Sequence, residues 1–176
     1  MRIFIDMKRF LFLDVDGVLN HNDWWYSKEA QENPKPFPQS SFDPRCVNRV
    51  NEILDKTGAE LVISSSWRTD MNLPEIFRSV GLPDKFDITP SDAFSEWKIY
   101  ESRGEEIDEF LNQHTYDDYV ILDDENDFMD FQQPHLFQTC DRIVTDADIA
   151  CKKLNNGFGL TESLKDRIIK YFNGND

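Results

Sequence analysis

Three short apolar runs in this chain each break off into a cluster of acids or hydroxyls, and that pattern restricts the fold more than any other feature. Arg9-Phe10-Leu11-Phe12-Leu13 runs into Asp14-Val15-Asp16-Gly17. Glu60-Leu61-Val62-Ile63 runs into Ser64-Ser65-Ser66, and Tyr119-Val120-Ile121-Leu122 into Asp123-Asp124. A continuous apolar run, without alternation, marks a strand buried on both faces, as in a parallel sheet. Arg142-Ile143-Val144-Thr145 reads as a fourth strand, and Phe86-Asp87-Ile88-Thr89 as a short one. Helical patterns lie between them. Asp43 is the expected N-cap of a helix that has Pro44 at its first position, Val47, Val50, Ile53 and Leu54 on one face, and Gly58 at its end. Shorter helices are expected from Leu73 to near Gly81, from Gly104 to Gln113 and from Leu164 to Phe172. Strands alternating with helices define an α/β fold with a mainly parallel sheet. A length of 176 residues suits one domain spanning 1–176, with insertions at about 20–43 and 70–102.

Composition narrows the partners. The chain has 34 acidic and 19 basic side chains and a net charge of −15. A surface this acidic does not wrap nucleic acid nonspecifically, because such binding neutralises phosphates with Lys and Arg. No stretch approaches the length of a membrane span. Asp6, Lys8 and Arg9 interrupt the apolar run at the N-terminus, so no secretory leader is expected there. Cys46, Cys140 and Cys151 are sparse and odd in number, which suits reduced thiols and a cytoplasmic location.

In open α/β sheets, ligands bind beyond the carboxyl ends of the strands. If the three strands are neighbours, Asp14, Asp16, Asp123, Asp124 and a serine hydroxyl surround one point. Like charges that close raise each other's pKa, and a hard divalent cation relieves them. Mg2+ takes oxygen ligands and is usually held by a few carboxylates plus a substrate phosphate. Two carboxylates at i and i+2 can divide the work: one attacks phosphorus, and the other supplies and later removes a proton. Gly17, directly after the pair, lets the chain turn sharply. An EF-hand calcium loop does not fit, since Phe12 stands where a ligand is needed. A receiver domain does not fit either, because the order of its acidic pair and its phosphorylated Asp is reversed here.

With those residues in place, the chain resembles the haloacid dehalogenase (HAD) superfamily of phosphatases. "FLDVDGVLN" resembles its first motif, "LVISSSWR" the second, Arg103 in "RGEEI" the third and "VILDDEND" the fourth. The strings "SSSWR", "RGEEI", "ILDD" and "VTD…GFGLT" resemble more narrowly the HAD domains associated with RNA-repair and polynucleotide kinase–phosphatase proteins. The resemblance implies a Rossmann-like three-layer sandwich with a minimal cap. It implies Asp14 as nucleophile and Asp16 as general acid and base, with Mg2+ held by Asp14, Asp16 (through its backbone carbonyl), Asp123 and Asp124, and Asp127 adding a water-mediated contact. It implies phosphate binding by Arg103, with Lys98 as the rival for that role, and by either Ser64 or Ser65. Arg68 is read either as a further phosphate ligand or as half of a structural ion pair.

Trp24 and Trp25 fall in the segment after the first motif, where a flap inserts. They are expected either to touch substrate or to pack onto the domain. Neither insertion is long enough for a full cap domain, so the resemblance implies an open site, suited to a large substrate or covered by oligomerisation, or to a small metabolite if the flap itself closes. The function expected is therefore a Mg2+-dependent phosphomonoesterase working through a phosphoaspartate. Its substrate would be a phosphorylated small molecule or a nucleic-acid end. The alternatives are a phosphotransferase and a non-catalytic phospho-ligand binding module. The net charge adds a constraint: a polynucleotide would be engaged at its phosphorylated end and not along a basic groove.

Overall fold

The computed structural model describes residues 8–32, 34–70, 72–94 and 99–174. In chain order the elements are β1 (Lys8–Leu13), α1 (Asn22–Trp25), α2 (Lys28–Glu32), α3 (Pro44–Thr57), β2 (Glu60–Ile63), α4 (Leu73–Val80), β3 (Asp87–Ile88), α5 (Arg103–Asn112), β4 (Tyr116–Asp123), β5 (Leu136–Gln138), α6 (Asp146–Asn155) and α7 (Glu162–Phe172). The five strands form one sheet in the order β3-β2-β1-β4-β5, and every pairing is parallel. This is the α/β architecture that the apolar runs predict. β1 lies at the centre, with β2 and β4 on its flanks, so the three polar clusters leave neighbouring strands at the same edge.

Alternation along β1 shows why the runs are apolar throughout. Leu11 and Leu13 point into one core with Val47, Val50 and Ile53 of α3 and Leu164 and Ile168 of α7. Phe10 and Phe12 point to the other side, against Ile107, Phe110 and Leu111 of α5. All four β1 side chains are fully buried. Burying each such residue contributes about 1.5–3 kcal/mol, so both faces are fixed and a register slip would misplace them all. α3 begins and ends as its sequence predicts. The Asp43 carboxylate accepts from the Arg45 N–H, Pro44 occupies the first turn, and Gly58 takes the left-handed conformation (φ 67°) at the end.

One expected strand is overturned. Arg142–Thr145 is not in the sheet; the fifth strand is Leu136–Gln138, paired with β4. The reason is local hydrogen bonding. The Asp148 carboxylate accepts from the backbone N–H groups of Val144 (2.9 Å) and Thr145 (2.6 Å). Thr145 and Asp148 form a capping box that starts α6, a helix the apolar periodicity did not suggest. The N–H groups a ladder would need are taken, and Ile143 and Val144 stand exposed.

Candidate active site

The site forms where the strand ends are stitched together. The Asp14 N–H donates to the Leu122 carbonyl (3.0 Å), Ser64 N–H to Leu13 (2.9 Å) and Thr139 N–H to Asp123 (2.8 Å). These bonds bring the tips of β1, β2, β4 and β5 level. One carboxylate oxygen each from Asp14, Asp123 and Asp124 lies within 4.8 Å of the others.

Arg103 opens α5, one position after its N-cap Ser102, and reaches across the sheet edge. Its Nη1 donates to Asp14 Oδ1 (3.1 Å) and to the Ser64 carbonyl, and its Nε is 3.8 Å from Asp123 Oδ2. The glycine that follows it lets the Gln132 side chain pack closely against the start of α5. A Cβ on Gly104 would lie 2.6 Å from Gln132 Oε1, and Gln132 also donates to the Gly104 carbonyl (2.9 Å). Lys98, the other basic residue considered for this role, lies outside the described residues.

Burial raises the Asp14 pKa, against the opposing pull of the Arg103 charge and a hydrogen bond from the Ser65 hydroxyl. Burial and then the Asp14 charge push Asp123 up to about 8. Burial, Asp14, Glu125 and Asp141 push Asp124 up to about 7. Asp123 Oδ1 accepts from the Glu125 N–H (2.9 Å), whereas its buried Oδ2 has no hydrogen-bond partner among the described residues. Three crowded carboxylates, one with an orphaned oxygen, fit a hard divalent cation, the donor set being oxygen alone. Gly17 completes the cradle. At φ 72° it brings the backbone so near Asp124 that a Cβ would lie 2.4 Å from that residue's Cγ.

Asp16 stands apart from this cluster and is exposed. Asn20 Nδ2 donates to its Oδ1 (2.7 Å) while Asn20 Oδ1 accepts from the Gly17 N–H (3.0 Å), closing the turn after β1. The Trp67 indole N–H reaches both Asp16 oxygens at 3.1 Å. Sequence reasoning assigned neither Asn20 nor Trp67 a role. Asn20 sits four residues from Asp16, a spacing that signals a local turn; Trp67 is 51 residues away, and only the β1–β2 pairing brings it near.

The remaining candidates separate. The Ser65 hydroxyl faces Asp14 and accepts from the Trp67 N–H, whereas Ser64 Oγ is buried without a hydrogen-bond partner among the described residues. Arg68 is 9% exposed and bound to the Ser65 carbonyl (2.6 Å) and Glu106 (2.7 Å). Asp127 is exposed and lies in the wall of a cavity of about 430 Å3 with Arg103. Trp24 is 6% exposed and donates to the Ser40 carbonyl (3.1 Å); Trp25 is 45% exposed.

A parallel α/β sheet with an Asp-x-Asp-Gly turn on its central strand, an arginine at a helix start and an acidic pair on the next strand defines a HAD-like domain. The family model "HAD domain in Swiss Army Knife RNA repair proteins" matches residues 10–148, and the chain belongs to that family. HAD domains are usually hydrolases, phosphatases among them, and typically use Mg2+. Searches of curated proteins and of solved structures return no match. No helix among the described residues is long and apolar enough to cross a membrane.

Proposed function

We propose that the chain is a Mg2+-dependent phosphomonoesterase that works through a phosphoaspartate on Asp14, with terminal phosphates of nucleotides or polynucleotides as substrates. The observation that carries this reading is the setting of Asp14. Its carboxylate lies between Arg103 (3.1 Å) and the Ser65 hydroxyl and beside Asp123 and Asp124, while Asp16 is held on the open side. The nucleic-acid substrate rests on the family's RNA-repair association.

Asp14, Asp123 and Asp124 would hold the cation with the backbone carbonyl of Asp16, and Asp127 would reach it through water. Bound there, Mg2+ would neutralise the carboxylates and draw charge from the phosphoryl oxygens. In the first step an Asp14 oxygen forms a bond to phosphorus as the ester P–O bond breaks, and Asp16 gives its proton to the departing oxygen. Arg103 and Ser65 bond the equatorial oxygens, whose charge grows in the transition state. In the second step Asp16 takes a proton from water, the water oxygen attacks phosphorus, and phosphate leaves Asp14 as a free carboxylate. Asn20 and Trp67 keep Asp16 aimed at the leaving-group side. Arg68 is a positioning residue that ties the Ser65 loop to α5 through Glu106.

The test is hydrolysis of an aryl phosphate with Mg2+. Wild type should release phosphate, and chelation or Asp14→Asn should abolish release. Turnover by Asp14→Asn at the wild-type rate would overturn the reading.

A further inference from the structure

Beside Asp16 opens a cavity of about 790 Å3, in the size range of about 300–1,000 Å3 usual for small-ligand sites. Trp67 joins the two. Its indole N–H is on the Asp16 carboxylate and its ring lines the cavity. Ser66 lines both this cavity and the smaller one that holds Arg103. A leaving group whose oxygen faces Asp16 therefore has this hollow within reach, while its phosphate lies towards Arg103.

The chemistry of the wall selects the occupant. Trp67, Phe37 and Ile76 supply flat and apolar surface, and Phe37 is 75% exposed, a large ring left uncovered at the rim. Asp70 and Glu75 line the same space, and among the described residues its lining includes no Lys or Arg. An anion is repelled there, so a second phosphate does not belong in it. A bare sugar offers hydroxyl donors to the carboxylates but only a C–H face, and no planar ring to stack, to the aromatic side chains. A nucleoside brings both: a planar base to stack and N–H and O–H donors to pair with Asp70 and Glu75.

We infer that this cavity is the leaving-group subsite for a single terminal nucleoside, with its base held by Phe37 and Trp67. The inference rests on the proposed phosphatase reading and adds the substrate's recognition to it. It also relocates the aromatic contact. Trp24 is committed to packing and to Ser40, whereas Phe37 and Trp67 face the space next to the acid.

The experiment compares wild type and Phe37→Ala on 3′-AMP, 5′-AMP, ribose 5-phosphate and phosphotyrosine. Phe37 is 75% exposed, so folding should be unaffected. Wild type should prefer an AMP isomer to ribose 5-phosphate, and Phe37→Ala should lower kcat/KM on that isomer by about tenfold, the size of one base–aromatic stack. Its kcat/KM on ribose 5-phosphate, which has no base to stack, should fall by much less. Equal losses on both esters, or phosphotyrosine used as well as AMP, would overturn the inference. A second measurement is free of catalysis: adenosine, which has no phosphate, should quench indole fluorescence in wild type and bind about tenfold more weakly to Phe37→Ala. If adenosine binds in this way but no ester is hydrolysed, the phosphatase reading fails and the leaving-group role with it, while nucleoside binding in the cavity stands. If esters are hydrolysed while adenosine does not bind and Phe37→Ala changes nothing, the subsite fails and the phosphatase reading stands.

Discussion

Replacing Gly17 by alanine separates the geometry of the cation cradle from ordinary backbone strain. Gly17 has φ 72°, and a Cβ there would meet Asp124 at Cγ (2.4 Å), Oδ2 (2.5 Å) and Cβ (2.7 Å). Non-bonded carbons rest at about 3.5 Å or more, so the Asp124 carboxylate must retreat by about 1 Å. The left-handed conformation alone costs an alanine about 1–2 kcal/mol. For a chain of this size that is a loss of about 2–8 °C in Tm. Gly58 is the control: its φ is 67°, and a Cβ would find nothing within 4 Å. Gly58→Ala should therefore show the backbone cost and nothing else. Gly17→Ala should lose more Tm, respond less to added Mg2+, and hydrolyse an aryl phosphate about a hundredfold more slowly, the usual effect of a 1 Å misplacement at a reacting centre. Thermal melts with and without Mg2+ and steady-state rates for both variants test this. Equal losses of Tm and equal Mg2+ responses would refute the claim that Gly17 shapes the cradle.

Three further outcomes follow from the site and its supports. Asp123 and Asp124 keep protons in the folded chain that the unfolded chain releases above about pH 4. Without a cation, they therefore make stability fall as pH rises from about 4 through about 8. Added Mg2+ should thus raise Tm more at about pH 8 than at about pH 5.5, and an equal rise at both would contradict the assignment. Arg103→Ala should lower kcat by about 10²–10³ through loss of a contact to the transferring group, while Arg68→Ala should chiefly destabilise, by about 3–5 kcal/mol, because it leaves Glu106 unpaired. Rates and urea melts on the two variants distinguish these effects. Burial pushes the Asp43 carboxyl up, but hydrogen bonds from His21 (3.0 Å) and Arg45 outweigh this and hold it well below the usual carboxylate range. That stability is present above about pH 4 and lost as pH falls below it. Asp43→Asn should therefore be destabilising in urea melts at neutral pH, and the gap from wild type should close in acid.

What could be read from the chain alone was what burial on two faces imposes. Phe10–Leu13, Leu61–Ile63 and Tyr119–Leu122 admit one reading because neither face of those segments meets water. Their neighbourhood in the sheet is only a condition at the level of sequence; the pairing of β1 with β2 and β4 supplies it and brings the acidic clusters together. Ile143 and Val144 misled because an apolar pair carries no record of where its N–H groups go; the Asp148 carboxylate decided that. Leu136–Gln138 was too short to stand out. Ser64 and Ser65 are equivalent in sequence, and only the rotation of the chain leaving β2 turns one hydroxyl to Asp14 and buries the other. Trp67 on Asp16 depends on a pairing 51 residues long, and the space flanked by Phe37 and Trp67 exists only once the segment before α3 folds back beside the loop after β2.

The central claim is that phosphorus passes through Asp14, and one variant isolates that step. With an aryl phosphate, the leaving group departs without a proton, so Asp16→Asn should still allow phosphoryl transfer to Asp14. It should then stall, because no base remains to activate water. The measurement is mass spectrometry of the peptide containing Asp14 after rapid acid quenching of Asp16→Asn mixed with aryl phosphate and Mg2+. The account predicts a phosphoryl group on Asp14 that accumulates towards one per chain and is absent from Asp14→Asn/Asp16→Asn. Aryl alcohol released with no phosphoryl group on the protein, or a phosphoryl group on another residue, would contradict it.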